Sequence, residues 1–265
     1  MERGLAPFAG FALCAATVVL AACGADAPRG ALAPGPVVGA PPAQLGVDPF
    51  YRKWIDADGI PVLASAAVDD RALGVAREVV EHMLAARPDV RAAMLSNHAR
   101  VAVIAAAEVT LQLPEYRTLP NDRDWNKRSR GLGGTLERPL TSCGEENLLH
   151  LPGDRYHGEN ILVHEFAHAV HLLGLNTVDP AFDPLLRQTY ARAKDEGLWK
   201  GTYAASNYEE YWAEGAQDWF DCNRTATPAD GIHNEVHTRA QLAEYDPRLY
   251  ALLGSVFGAA RWSPE

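Results

Sequence analysis

The sequence lacks a basic run, an internal repeat and a phosphate-binding loop. Its formal net charge is −10 over 265 residues, which argues against a nucleic acid or an anionic membrane surface as partner. The glycine cluster RGLGG (Arg130–Gly134) lacks the Lys-Ser/Thr ending and the strand–helix context of a phosphate loop. We therefore expect a flexible loop there.

The one long apolar run, residues 5–22, is short for a spanning helix and is interrupted by Pro7. It predicts a signal peptide over residues 1–22 and an exported protein. Residues 20–23 read Leu-Ala-Ala-Cys, which resembles the bacterial lipobox, whose cysteine is acylated. We therefore expect a lipoprotein of the bacterial cell envelope, anchored through Cys23. The alternative is a secreted protein cleaved near Ala22.

Residues 23–46 are mostly Ala, Gly and Pro and carry almost no charge. This composition cannot bury a core and predicts an extended tether behind the lipidated cysteine. The remaining residues, 47–265, suit one domain with a substantial core. We expect a monomer that meets the membrane only through the N-terminal lipid.

Cysteine is scarce, with four in the chain. Cys14 belongs to the signal segment and Cys23 to the lipidation site, which leaves Cys143 and Cys222. In an oxidising compartment an even pair predicts a disulfide between them. Two free buried thiols are the alternative.

Helical periodicity follows an extended entry with a turn at Asp58-Gly59. Helices are predicted from Asp69 or Asp70 to about Arg87, then to residues 96–97, and over 158–175, 184–196, 207–220 and 239–257, the last broken at Pro247. The apolar run Arg100–Val109 predicts a core strand, and residues 114–138 predict loops. Helices outnumber strands, and the strands fall early, so we predict an α+β fold.

The segment ILVHEFAHAVHLLG places titratable side chains on an apolar helix. His164 and His168 are four residues apart and share one helical face, as two ligands of a zinc ion would. Glu165 lies about 100° round the helix, where it can reach a water but not complete the same coordination. This is a His-Glu-x-x-His motif, in which the glutamate is the general base.

The third ligand must come from another segment. His171 extends the face by one turn and is expected to pack or to hydrogen-bond to a ligand, and direct ligation of the metal is the alternative. A longer form of the motif has a glycine at the position of His171 and a third histidine at the position of Gly174, which this chain lacks. Glu210 and Glu214 are four apart on a helix that Asn207 can cap. One is expected to bind the metal while the other supports a ligand, and spacing alone does not say which.

The segments HEFAHAV and Y-x6-E-x3-E together resemble the catalytic domain of anthrax lethal factor and the related Pro-Pro endopeptidases, which are glutamate-type zincins. The specific match covers residues 164–170 and 203–214. The resemblance implies a zincin-like fold, with a small mixed sheet packed on a helical body and the motif helix at the cleft. It implies that His164, His168 and Glu210 bind zinc, that Glu165 is the base, that Tyr203 donates to the oxyanion, and that Glu214 supports a ligand.

These observations predict a zinc metalloendopeptidase that acts on an extracellular or envelope protein or peptide. The alternative is a surface-tethered binding or adhesion protein with a structural zinc, which a fourth protein ligand would favour. A zinc hydrolase of a non-peptide bond is a weaker third possibility. Specificity is expected to lie in cleft loops within residues 121–153, and the sequence does not identify the substrate.

Overall fold

The computed structural model describes residues 37–120 and 122–264. The strands are β1 (Lys53–Ala57), β2 (Ile60–Ala64), β3 (Arg100–Ile104), β4 (Gly131–Leu132) and β5 (Leu140–Gly144). The α-helices are α1 (Asp70–Leu84), α2 (Pro88–Ser96), α3 (Trp125–Arg128), α4 (Glu145–Leu148), α5 (Ile161–Ala169), α6 (Asn176–Val178), α7 (Phe182–Asp195), α8 (Tyr208–Trp219), α9 (Arg239–Tyr245) and α10 (Pro247–Phe257). Within the described chain, no helix combines the length and apolar character needed to cross a membrane.

The predicted signal segment and the lipidation candidate Cys23 lie outside the described residues. Of the predicted tether, residues 37–46 are described. Gly39 and Trp54 exchange two backbone hydrogen bonds of 3.0 and 2.8 Å, which lay this part of the chain along β1. A 3₁₀ turn, Ala43–Leu45, follows.

The five strands form one mixed sheet in the order β1-β2-β3-β5-β4. The central strands β2, β3 and β5 are parallel to one another, and the outer strands β1 and β4 run antiparallel to their neighbours. The short strand β4 therefore forms one edge of the sheet. A mixed sheet together with a larger helical part confirms the predicted α+β class.

The hairpin between β1 and β2 turns at Asp58 and Gly59, as predicted. Their φ angles are 51° and 95°, and two positive values in a two-residue loop match the twist of antiparallel strands. The Asp56 carboxylate accepts a hydrogen bond from the Gly59 N–H at 3.2 Å. This turn sets the register that places Ile55 opposite Val62.

The helix boundaries follow local capping chemistry. Asp69 accepts a hydrogen bond from the Arg71 N–H at 2.9 Å and so caps α1. Proline stands at the first position of α2 and of α10, where its missing N–H costs no helical hydrogen bond. Pro247 therefore ends one helix and begins the next, as the sequence indicates.

The predicted strand over Arg100–Val109 is correct only to Ile104. Beyond that residue, the Ala105 N–H donates to Glu108 Oε2 at 3.0 Å, and the Ala106 N–H donates to Glu145 Oε1 at 2.7 Å. These carboxylates take the donors that a longer strand would need, so the chain turns. Ala106, Ala107 and Val109 are exposed, so the apolar run extends beyond the buried strand.

The motif helix α5 passes directly into a π-helical segment, Val170–Leu175. At Gly174 a Cβ would lie 2.5 Å from Val90 Cγ1 and 3.1 Å from Met94 Cγ. Glycine here lets α2 approach this segment closely. The predicted helix over 158–175 has the correct C-terminal end. The observed helix begins at Ile161 and becomes π-helical after Ala169.

The predicted disulfide between Cys143 and Cys222 is wrong, because both are free thiols and both are buried. Cys143 lies on β5, where its sulfur is 3.9 Å from Asn147 Oδ1. Cys222 follows α8, and its thiol donates to the Gln217 carbonyl at 3.5 Å. Each sulfur has its own partner in the core. Burial raises the pKa of both thiols, so both stay protonated and weakly nucleophilic.

Candidate metal centre

Three side chains from two helices converge at the floor of a cleft. His164 and His168 come from α5, and Glu210 comes from α8. Glu210 Oε2 lies 3.0 Å from His164 Nε2 and 3.4 Å from His168 Nε2. The two Nε2 atoms are 3.3 Å apart. All three donor atoms therefore lie within 4.8 Å of one another.

Local capping fixes where each donor stands on its helix. Asn160 accepts a hydrogen bond from the Val163 N–H at 3.0 Å, which begins α5 one turn before the first histidine. Asn207 accepts from the N–H groups of Glu209 and Glu210, each at 2.9 Å. The cap therefore holds Glu210 in the first turn of α8.

A buried tryptophan joins the two helices. Trp212 is fully buried, and its Nε1 donates to the Ala167 carbonyl at 2.9 Å. Ala167 lies immediately before His168, and Trp212 lies two residues after Glu210. This bond sets the depth at which the carboxylate meets the imidazoles.

The donor set fits a divalent metal ion. Each of the two Nε2 atoms and Glu210 Oε2 can present a lone pair, and three lone pairs this close need a shared proton or a cation between them. Two imidazole nitrogens and one carboxylate oxygen are the donors that zinc takes in sites with three protein ligands. The cluster can therefore hold a metal with a further coordination position open.

Glu165 lies under the edge strand β4. A Cβ built on Gly131 would lie 3.1 Å from Glu165 Cγ, and one on Gly133 would lie 2.7 Å from His168 Cβ. Glycine at both positions thus allows the backbone to pass directly over the metal helix. Burial raises the pKa of Glu165, while the neighbouring imidazoles and the Gly133 N–H oppose that rise.

A buried ion pair holds the chain that leads into β4. Arg130 Nε and Nη2 donate to the two oxygens of Glu146 at 2.5 and 2.8 Å. Arg130 also donates to the carbonyls of Glu108 and Ala105 at 2.7 and 3.0 Å. Both side chains are almost completely buried, so four hydrogen bonds fix the residue next to Gly131.

Tyr203 stands beside the carboxylate ligand candidate. Its hydroxyl donates to Glu210 Oε1 at 3.1 Å, and its ring lies 6.2 Å from the His164 ring. Burial, followed by the charge of Glu210, raises the pKa of Tyr203 above its usual value. The phenol is therefore protonated and can donate a hydrogen bond, and at 39% exposure it faces the open cleft.

Two side chains of α8 lie behind His164. Gln217 Oε1 is 2.9 Å from His164 Nδ1, and Glu214 Oε1 is 3.4 Å from the same nitrogen. The sequence predicted Glu214 in this position but missed Gln217. A signal existed, because Gln217 stands seven residues after Glu210 and three after Glu214, on the same helical face.

His171 lies on the π-helical segment and faces a different partner. Its Nε2 is 3.2 Å from Asp183 Oδ1, and its ring packs against Phe182 and Tyr208. Burial lowers its pKa. The structure places His171 in the contact between the π-helical segment and α7, outside the group of three donors.

The three donors, Glu165 and Tyr203 line a cleft of about 650 Å³. A second part of the cleft wall comes from the segment that contains α3 and β4, from residues 155–156 after α4, and from residues 224–233. Arginines and Trp125 stand on this wall. The segment 123–135 falls within the range where the sequence predicted specificity loops.

No protein-family model matches the chain, and no curated protein matches it. Among solved structures, the Pro-Pro endopeptidase PPEP-2 from Paenibacillus alvei is similar with a TM-score of 0.48 at 15% sequence identity. The alignment covers 73% of this chain and 96% of that one. A likeness this distant carries no argument about chemistry, so the geometry of the cleft is the basis for any functional assignment.

Proposed function

We propose that this protein is a zinc-dependent endopeptidase of the glutamate-type zincin class. The observation that carries the proposal is the convergence of His164, His168 and Glu210, whose donor atoms lie within 4.8 Å in a cleft that also presents Glu165 and Tyr203. The metal donors, a carboxylate base and a phenolic donor are the groups that hydrolysis of a peptide bond requires. Tyr203 and Glu210 come from a segment distant from α5, and they are seven residues apart, as in the Y-x6-E-x3-E motif.

The two imidazoles and the Glu210 carboxylate would hold the ion. Zinc in such a site polarises a carbonyl and lowers the pKa of its water to about 7. Gln217 accepts from His164 Nδ1 and thereby directs the lone pair of Nε2 toward the donor group. Asn207 and Trp212 hold Glu210 at the required depth.

Glu165 would accept the proton of the attacking water and deliver it to the leaving amine. It neighbours His164 in the chain but points about 100° away round the helix, so it does not compete for the same coordination position. Its partly desolvated carboxylate, with a raised pKa, is a stronger base than a carboxylate in water.

Tyr203 would donate a hydrogen bond from its hydroxyl to the scissile carbonyl oxygen as negative charge develops there. The hydroxyl is held beside the metal donors by its 3.1 Å hydrogen bond to Glu210 and can turn toward a bound carbonyl. Its raised pKa keeps the proton in place at neutral pH. Such a donor typically contributes about 3 kcal/mol to the transition state.

The arrangement favours catalysis over a purely structural ion. A structural site is closed by a fourth protein ligand. The candidate for that role, His171, faces Asp183 instead. A base and a phenol beside three donors have no function in a structural site.

We further propose that the enzyme acts outside the cytoplasm on an envelope or extracellular protein, as an acylated lipoprotein or in secreted form. This rests on the apolar run of residues 5–22 and on Cys23. Palmitate labelling of the wild-type chain and of Cys23→Ala in a bacterial host would test the anchor. Labelling that is equal in both would rule out Cys23 as the lipidated residue.

The activity test uses the full chain in detergent and a peptide library derived from a proteome. We expect cleavage that a chelator abolishes and that stoichiometric zinc restores. Glu165→Gln is the matched control, because it changes one atom and keeps the three donors. Cleavage that is insensitive to the chelator, or none with zinc bound, would contradict the proposal.

A further inference from the structure

The second part of the cleft wall carries four arginines in a protein whose net charge is −10. They are Arg123, Arg128, Arg155 and Arg224. Two of them have carboxylate partners. Arg123 pairs with Asp122 at 2.9 Å, and Arg224 pairs with Asp230 at 3.0 Å.

Within the described chain, Arg128 and Arg155 have no carboxylate partner, and both are exposed. They belong to one surface, because Arg155 Nη1 donates to the backbone carbonyl of Lys127 at 2.5 Å. That bond engages one nitrogen with a neutral oxygen and leaves the charge of the guanidinium uncompensated. Two cations thus stand together at the rim of the cleft.

Within the described chain, no carboxylate that lines the cleft forms an ion pair with Arg128 or Arg155. Glu210 contacts His164, and Glu214 accepts from Asn223 at 3.3 Å. Glu159 lies 3.2 Å from His233 Nε2. Glu209 accepts from the Tyr208 hydroxyl at 3.1 Å, and Glu165 packs against Gly131. The five carboxylates of the lining therefore all contact groups other than Arg128 and Arg155.

The distance from this pair to the reacting bond follows from the chain itself. Arg128 precedes Gly131 by three residues, which can span at most about 10 Å between Cα atoms. Gly131 lies directly against Glu165, because a Cβ at position 131 would be only 3.1 Å from Glu165 Cγ. An extended peptide advances about 3.3 Å per residue. The cations are therefore within reach of a side chain about three residues from the scissile bond.

We infer that the cleft selects an acidic peptide segment, in which an Asp or Glu within about three residues of the scissile bond faces Arg128 and Arg155. The identification of that bond rests on the proposed peptidase function. Exposed ion pairs are individually weak, so two of them predict roughly a three- to tenfold preference at low ionic strength. Salt should reduce it, because both arginines face solvent.

The test compares binding of matched peptides to the Glu165→Gln protein loaded with zinc. The fluorescein-labelled decapeptides share a central Leu-Ala pair. Either Asp-Asp or Asn-Asn stands beside that pair, on its N-terminal side in one set of peptides and on its C-terminal side in the other. Fluorescence anisotropy at 20 mM salt should give a dissociation constant roughly three- to tenfold lower for the Asp-Asp peptide in one of the two orientations. Equal constants for Asp and Asn in both orientations would overturn the inference.

The matched variants isolate the two cations. Arg128→Gln combined with Arg155→Gln should abolish the Asp preference and leave Asn-Asn binding unchanged. Arg192→Gln combined with Lys200→Gln removes the same charge from exposed residues outside the cleft and should leave the preference intact. A preference that survives the first pair, or that disappears in the second, would show that general charge and not this wall selects the peptide.

Binding and turnover separate this inference from the proposed function. Asp preference in binding, without cleavage of the proteome-derived library by the wild-type zinc protein, would overturn the peptidase and retain the acidic-peptide site. Cleavage of the library without Asp preference in binding would retain the peptidase and overturn the site.

Discussion

Gln217 Oε1 lies 2.9 Å from His164 Nδ1, and this contact fixes the tautomer of the imidazole. The amide has a defined orientation, because Gln217 Nε2 donates to the Asn160 carbonyl at 3.2 Å. With Oε1 as acceptor, Nδ1 carries the proton and Nε2 presents a lone pair to the other donors. The residue that caps α5 thus also orients the amide that supports the first histidine.

Replacing Gln217 with alanine should weaken zinc binding roughly 10- to 100-fold without unfolding the chain. The loss of the acceptor frees the imidazole to rotate and to change tautomer. Competition with a chromophoric chelator measures the affinity. Gln188→Ala on the exposed side of α7 is the control and should bind like wild type. Equal zinc affinities in the two variants would show that Gln217 does not support metal binding.

Glu210→Ala should lose far more zinc affinity than Glu214→Ala. Glu210 Oε2 reaches both Nε2 atoms, whereas Glu214 reaches only His164 Nδ1 at 3.4 Å. Metal content after dialysis gives the order directly. The opposite order would exchange the roles of the two carboxylates.

Glu165→Gln should retain stoichiometric zinc and lower kcat by a factor of about 100 or more. The amide keeps the shape of the side chain but cannot accept the proton, and general base catalysis contributes about 10²- to 10⁴-fold. Zinc content and steady-state rates on one cleaved peptide are the measurements. Turnover near the wild-type value would show that another group is the base.

Tyr203→Phe should lower kcat by about 100-fold while KM and zinc affinity stay within about twofold. The hydroxyl is expected to act on charge that develops during the reaction, and the loss of one such donor typically costs this much. Its bond to Glu210 is exposed, so its loss should disturb the metal little. A change confined to KM would assign Tyr203 to substrate binding instead.

Cys143 and Cys222 should both be recovered as free thiols. Alkylation under denaturing, non-reducing conditions, followed by peptide mapping, should label each of them. Thermal unfolding should be the same with and without reductant, because there is no cross-link to lose. A disulfide-linked peptide containing both cysteines would contradict the described packing.

Much of the helical architecture could be predicted because its signals are local. The caps Asp69 and Asn207 each accept from an N–H two or three residues later. By contrast, the predicted helix begins at residue 158, three residues before α5, because Asn160 was not recognised as its cap. Pro247 interrupts the helical pattern, because proline inside a helix removes a backbone hydrogen bond and clashes with the preceding turn. The hairpin at Asp58-Gly59 depends on the two residues that tolerate positive φ most readily. Sequence alone contains this information.

The features that the sequence missed depend on contacts between distant segments. Strand β5 reads Leu-Thr-Ser-Cys-Gly, which has no strand signature, yet it lies buried between β3 and β4. This segment is a strand because β3 and β4 pair with it on its two sides. In the same way, Gln217 shares a face with two glutamates, but the crossing of α5 and α8 decides which side chain meets His164 Nδ1. Likewise, the packing of separate segments gives Cys143 and Cys222 different partners, Asn147 and Gln217.

X-ray absorption spectroscopy of the zinc-loaded protein tests the central claim most directly. We expect two imidazole nitrogens at about 2.0–2.1 Å from the zinc and oxygen ligands at about 2.0–2.2 Å. Glu210→Ala should remove one of these oxygens. Added phosphonate peptide should change the oxygen shell and leave both nitrogens in place, because the solvent position is exchangeable. A sulfur ligand, a third imidazole, or a shell that the peptide does not alter would contradict it.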